Sequence, residues 1–179
     1  HHNDFDLDVY MRISVGELWQ KRLLAAGFPR VFEIGRAYRN EGSSPEHTQE
    51  FTNLEFYAGY MDYREGMEFT EKMIKEVAEQ TFGTLQFETH GHKVDLASKW
   101  DRMVYSDTVK KMLGIDILTA TETEMMAKLD ELGVKYEGTN RERLTDSLWK
   151  HCRKQIVGPA WLIDVPKLVS PLSKAKPEN

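Results

Sequence analysis

Cysteine is almost absent from these 179 residues. Cys152 stands alone, has no partner for an internal disulfide, and fits a reducing cytosol. Apolar runs are short. None approaches the roughly 20 residues that a bilayer span needs. The opening His1-His2-Asn3-Asp4 has no basic stretch followed by an apolar one and does not read as a secretory leader. Positive charge is not in excess either. Lys plus Arg is 24 against 29 Asp plus Glu, a net charge of −5. That balance argues against a simple basic nucleic-acid patch as the main business of the chain. There is no repeat, no low-complexity tract, no P-loop and no G-x-G-x-x-G. No Ser-His-Asp or Cys-His arrangement is evident. What is present is 40% hydrophobic and 30% charged. This is about one domain's worth of a soluble, cytoplasmic α+β protein, best suited to a small-molecule ligand.

The pattern along the chain predicts the elements. A helix is expected over Val15 to Ala26, with Ser14 as N-cap and Gly27 beyond its end. Ser14-Val15-Gly16-Glu17 matches the capping box S-x-x-E, and Leu23 and Leu24 supply core bulk. A strand follows from Arg30 to Arg39, with Phe32 and Ile34 on one face and Glu33, Gly35 and Arg39 on the other. Asn40 to Glu50 reads as a polar loop. A second strand, Phe51 to Met61, alternates sharply. Leu54, Phe56, Ala58 and Tyr60 make an apolar face, and Phe51, Asn53, Glu55, Tyr57 and Gly59 make the other. Two strands around one loop suggest an antiparallel hairpin. Asp62, with Glu65 three positions on, caps a long helix ending at Gly83, with Met67, Thr70, Met73, Ile74, Val77 and Ala78 as its buried stripe. A short hairpin turns at His90-Gly91, pairing Leu85 and Phe87 with Val94 and Leu96. Helices are expected near Ser106–Leu113, Thr121–Leu132 and Arg141–Lys154, and a last strand over Ala160 to Val165. Cys152 shares a helical face with Leu144 and Leu148 and reads as buried, and Trp100 and Trp161 read as core. The fold class is α+β, an antiparallel sheet with flanking helices.

Chemistry concentrates between Arg39 and Tyr57. A carboxylate on a central strand is costly unless it meets a cation. Arg39 paired with Glu55 would be purely structural. Otherwise this face is a floor for a charged ligand. Arg39 would hold an anion as a planar fork, Glu55 a cation, and Phe51 would offer a ring for stacking. The His90-Gly91-His92 segment reads as a turn rather than a metal clip.

As an ordered string the residues are more specific. Phe32-Glu33-Ile34-Gly35-Arg36-Ala37-Tyr38-Arg39-Asn40-Glu41, a loop with His47, then Glu50-Phe51-Thr52-Asn53-Leu54-Glu55-Phe56-Tyr57 resembles motif 2 of the class II aminoacyl-tRNA synthetases. The ending Glu55-Phe56-Tyr57 is similar to the lysine-type version. Leu7 to Ser14, Glu17-Leu18-Trp19-Gln20-Lys21-Arg22-Leu23 and Val169-Ser170-Pro171-Leu172-Ser173-Lys174 resemble further family segments. The chain departs from the pattern at Val15-Gly16, where the family commonly has one proline, and at His47-Thr48-Gln49.

The resemblance implies a partial class II catalytic core: a motif 2 region over 1–97, a helical insertion over 98–157 and a return to the core sheet over 158–179. Motif 1, motif 3 and the anticodon-binding domain are expected outside the chain. It implies ATP and L-lysine as substrates, tRNA(Lys) as acceptor through the full-length enzyme, a homodimer of that enzyme, and Mg²⁺ held by residues elsewhere. Arg39 would be the catalytic arginine, touching the α-phosphate of ATP and the carboxylate of lysine. Glu41 would receive the adenine amine, Phe51 would stack on adenine, and His47 would reach the phosphate tail. Glu17 would take the α-ammonium of lysine, a role that conflicts with the capping box. Glu55 and Tyr57 would face the ε-ammonium. The isolated chain is expected to be inactive in aminoacylation. A paralogue that lysylates a protein, and a non-catalytic module reusing the fold, are the rival readings.

Overall fold

The computed structural model describes residues 1–42, 44 and 47–176. The chain divides into two compact units, His1–Gly66 and Met67–Asn179.

The first unit holds helix α1 (Glu17–Ala25) and strands β1 (Arg30–Tyr38) and β2 (Glu50–Ala58). The strands pair antiparallel from Arg30↔Ala58 to Tyr38↔Glu50, with Glu33 opposite Glu55 and Phe32 opposite Phe56. The expected hairpin therefore forms, but its covered face is the other one. Phe32 and Ile34, the apolar face, are 70% and 61% exposed. Val31, Glu33, Gly35 and Ala37 alternate with them and are half-buried or buried, as are Phe51, Asn53, Glu55 and Tyr57. The reason is the segment ahead of α1. The Tyr38 N–H donates to Arg12 O (2.8 Å), and Arg12 Nε donates to Arg36 O (2.8 Å). Val15, fully buried, donates its N–H to Glu55.

Helix α1 starts two residues later than the sequence pattern predicts. Gly16 is the N-cap, in the left-handed region at φ 84°, with no side-chain cap. A residue without Cβ enters this turn at little cost. The Ser14–Glu17 capping box therefore does not form, and Glu17 bonds Lys21 instead. Leu18 and Leu23 are exposed, and Gln20 is the buried residue of α1. Leu23 thus supplies no core bulk, and Leu24 only part of it.

The second unit contains most of α2 (Tyr63–Phe82). At the start of α2, which lies in the first unit, the expected capping box is complete. Asp62 Oδ1 accepts from the N–H groups of Arg64 (2.8 Å) and Glu65 (3.0 Å), and Glu65 Oε2 accepts from the Asp62 N–H (2.9 Å). Met67, Thr70 and Met73 are half-buried and Ala78 is buried, but Ile74 and Val77 are exposed. The inward stripe instead takes the half-buried pair Glu71 and Lys75, 2.7 Å apart. Lys75 Nζ is further satisfied by the carbonyls of Ala97 (3.2 Å) and Ser98 (2.8 Å).

Strands β3 (Gln86–Thr89) and β4 (His92–Asp95) form the short hairpin, turning through His90 and Gly91, both at positive φ. Sequence periodicity gives no sign of β5 (Asp101–Val104), which pairs in parallel with β6 (Ala160–Ile163). Four residues are too short a run to show alternation. Helices α3 (Tyr105–Leu113), α4 (Glu122–Glu131) and α5 (Arg141–Arg153) lie close to the expected spans. Thr121 and Glu124 complete the α4 capping box. Val109, Met125, Leu129, Leu144, Leu148 and Cys152 are fully buried in one core. Tyr105 joins it, stacked on Trp149 at 4.8 Å between ring centroids. Trp100 is buried and packs against the half-buried Trp161 at 5.4 Å. Among the described residues no helix is long and apolar enough to cross a membrane.

Candidate functional site

The pleat decides which side chains share a surface. Phe51, Asn53, Glu55 and Tyr57 are two apart on β2 and point to one side. Gly35 and Glu33 of β1 point the same way, and the Cβ that Gly35 lacks would lie 2.2 Å from Arg12 Nη2. A side chain there would displace the Arg12 guanidinium, which is ion-paired with Glu33.

Arg39 follows β1, with its N–H on Gln49 O at 2.9 Å. Its Nε donates to Ile13 O (3.2 Å), and its guanidinium lies 5.4 Å from the Phe51 ring centroid. The proposed structural pair with Glu55 does not form, and register explains why. Glu55 is opposite Glu33, six positions from Arg39, which is about 20 Å along the strand. An arginine side chain does not span that distance. Arg39 and Phe51 form one end of the floor, and no hydrogen bond from the terminal nitrogens of the fork is made among the described residues.

Glu55 lies toward the other end. Its Oε1 accepts from Asn53 Nδ2 (3.0 Å) and from the Val15 N–H (3.3 Å). No described cation pairs with it. Glu17 projects from the first turn of α1 and is bonded to Lys21 at 2.7 Å. Lys21 holds the Glu17 carboxyl below its usual range, and Glu17 in turn raises the Lys21 ammonium. The same ammonium lies 5.9 Å from the Tyr57 ring centroid. The Tyr57 hydroxyl is pushed up, first by burial, then by the charges of Glu17 and Glu55. Glu17 and Glu55 are thus the two carboxylates beside the neutral Tyr57 hydroxyl, and Lys21 pairs with Glu17 alone among them.

Glu41 is half-buried, and its carbonyl accepts from Gln49 Nε2 (3.1 Å). His47 is exposed and shares a hydrogen bond with Ser44 (2.8 Å). Ser43, Pro45 and Glu46 of this loop lie outside the described residues. Arg12, Gln20 and Asn53 were not singled out by sequence reasoning. Arg12 and Gln20 bond to residues far from them along the chain or to the backbone, which local periodicity cannot register.

A cleft of about 600 Å³, lined by Met67, Glu71, Lys75, Trp100 and Trp161 among others, belongs to the second unit.

Comparison with known proteins shows the family of the chain. The lysine–tRNA ligase of Thermotoga maritima is 41% identical over 179 residues, which is all of this chain and 36% of that protein. The lysine–tRNA ligase of Thermosipho africanus is 37% identical over the same length. That of Carboxydothermus hydrogenoformans is 38% identical over 182 residues, covering 37% of its length. The chain thus spans about a third of the length of the curated relatives it matches. The family described as tRNA synthetases class II (D, K and N) matches residues 1–179 throughout, and the chain belongs to it.

Proposed function

We propose that this chain forms the lysine- and ATP-binding floor of a cytoplasmic lysine–tRNA ligase. The observation that carries the reading is Glu55 on β2, held by the neutral donors Asn53 and Val15 and paired with no described cation, at the other end of the floor from Arg39 stacked on Phe51. Lysine has two ammonium groups and one carboxylate. Glu17 receives the α-ammonium. Glu55 and Tyr57 receive the ε-ammonium, with Tyr57 adding the hydrogen bond that separates lysine from a neutral isostere. Arg39 meets the lysine carboxylate and the α-phosphate. Phe51 stacks on adenine, Glu41 accepts from its amine, and His47 reaches the phosphate tail.

The reaction is attack of a lysine carboxylate oxygen on the α-phosphorus. A new P–O bond forms, and the bond to the departing pyrophosphate breaks. No protein nucleophile is needed. The protein aligns the two anions and neutralises their charge, which is the role of Arg39. A hydroxyl at the 3′ end of tRNA(Lys) then attacks the lysyl carbonyl of the adenylate, forming the ester as the acyl–phosphate bond breaks and AMP leaves. Among the described residues no three His, Cys, Asp or Glu side chains gather as metal ligands. Mg²⁺ is taken to be held by acidic residues in other parts of the full-length enzyme. That enzyme is taken to be a homodimer, with 1–97 as motif 2 region, 98–157 as insertion and 158–179 as return to its core sheet.

The test is lysine-dependent ATP–pyrophosphate exchange by the full-length protein. Glu55→Gln is expected to lower kcat/KM for lysine by about 10- to 100-fold, the range for a lost charge-assisted hydrogen bond. Arg39→Ala is expected to lower kcat at least as far. Exchange that survives both substitutions overturns the site.

A further inference from the structure

We propose that Gln20 and Asn53 are positioning residues that aim the Glu55 carboxylate at the substrate ammonium, an inference that rests on the lysine-site reading above. Two carboxylates face each other across the hairpin, Glu33 and Glu55. Like charges so placed repel, and one must be compensated. Glu33 is compensated by Arg12. Glu55 is treated differently. Its Oε1 accepts two neutral donors, Asn53 Nδ2 at 3.0 Å and the Val15 N–H at 3.3 Å. A cation would fix Glu55 equally well, but it would also neutralise the charge that a ligand needs. Amide donors orient the carboxylate and leave it charged, with acceptor capacity to spare.

Gln20 holds the second donor in place. Its Nε2 donates to the carbonyl of Val15 at 2.9 Å. Gln20 is 3% exposed and Val15 is fully buried, so packing fixes both. The other amide atom of Gln20, Oε1, is buried with no partner among the described residues. An unpaired buried acceptor is costly, and an apolar side chain of similar shape would avoid it. Only the N–H side of this amide is used, and its use is to hold Val15. The chain of contacts runs Gln20, Val15, Glu55, with Asn53 meeting the same oxygen from β2.

The experiment measures lysine-dependent ATP–pyrophosphate exchange in the full-length enzyme with Asn53→Leu, Gln20→Met and the double variant. Asn53→Leu is expected to raise KM for lysine about tenfold, the effect of one lost net hydrogen bond. The KM for ATP and kcat stay at the wild-type values. Gln20→Met is expected to act in the same direction. The double variant is expected to cost less than the product of the singles, because both act on one oxygen. A merely structural defect reduces the active fraction and moves kcat, leaving both KM values alone. Unchanged KM for lysine in Asn53→Leu, or a rise in KM for ATP of equal size, overturns the proposal. Asn53 is half-buried on a strand, so this variant decides the matter even if Gln20→Met fails to fold. Wild-type enzyme without lysine-dependent exchange sinks the site reading itself. Exchange that Glu55→Gln abolishes and Asn53→Leu leaves intact sinks the positioning role alone.

Discussion

Glu17 shows how one residue type in one place can serve two different ends. A Ser-x-x-Glu pattern makes it a cap, yet the helix begins at Gly16 and the carboxylate is free to meet Lys21. Lys21 lowers its pKa, so Glu17 stays ionised below the usual carboxylate range. The sign follows. With the folded value depressed, the favourable pairing is intact above the unfolded pKa and is lost as pH falls through the depressed value. Carboxyl chemical shifts followed by NMR are expected to show Glu17 titrating low, and to return it to the ordinary range in Lys21→Met. Glu55 teaches the complementary lesson. Its presence on the polar face of β2 is legible in the alternation, but its partners are not. The cation that the pattern offers, Arg39, is six register positions from Glu33, and the donors that do reach Glu55 come from Asn53 and from Val15, 40 residues upstream.

At the scale of elements, three Ser/Thr/Asp-x-x-Glu patterns begin expected helices, and two of them form boxes. Asp62 and Thr121 each stand where the chain enters the helix from extended or turn geometry with the carboxylate three residues on. Ser14 does not, because Gly16 interposes a left-handed turn. Thr121→Ala is expected to destabilise the second unit by about 1 kcal/mol, measured by chemical denaturation. Gly16→Ala is expected to cost more, about 1–2 kcal/mol, from the left-handed backbone alone. Its added Cβ would also stand 2.7 Å from Glu33 Oε2. The β1–β2 hairpin is the other instructive element. Its alternation is plain in the sequence, and its register and inward face are not. Apolar residues ordinarily turn inward, but here residues 12–20 cover the polar side and leave Phe32 and Ile34 exposed.

On the scale of the whole molecule, the two units answer to different physics. The helical unit has a conventional core, and Leu148→Ala is expected to cost about 2–5 kcal/mol there by denaturant titration. Two ionisable groups lie in that core. Burial pushes up the Tyr105 hydroxyl and the Cys152 thiol alike. For an acid with a raised folded pKa, stability is fully present below the unfolded pKa and falls as pH rises past it. The unfolded values are about 8.5 for cysteine and about 10 for tyrosine. Helix content followed by circular dichroism in denaturant is therefore expected to show a lower midpoint at pH 10 than at pH 7.5. Tyr105→Phe is expected to flatten that loss.

The sequence by itself determined which residues share a face, where most helices start and stop, and the motif string from Phe32 to Tyr57. These are properties of periods two and 3.6 and of local caps, and they need no distant partner. Tertiary structure decided the rest. It chose the covered face of the hairpin, moved the start of α1 to Gly16, separated Arg39 from Glu55 and paired β5 with β6. Each of these depends on a backbone or side chain remote in sequence. Alternation fixes two faces on a strand but does not say which one another segment will cover. Only the fold supplies that segment.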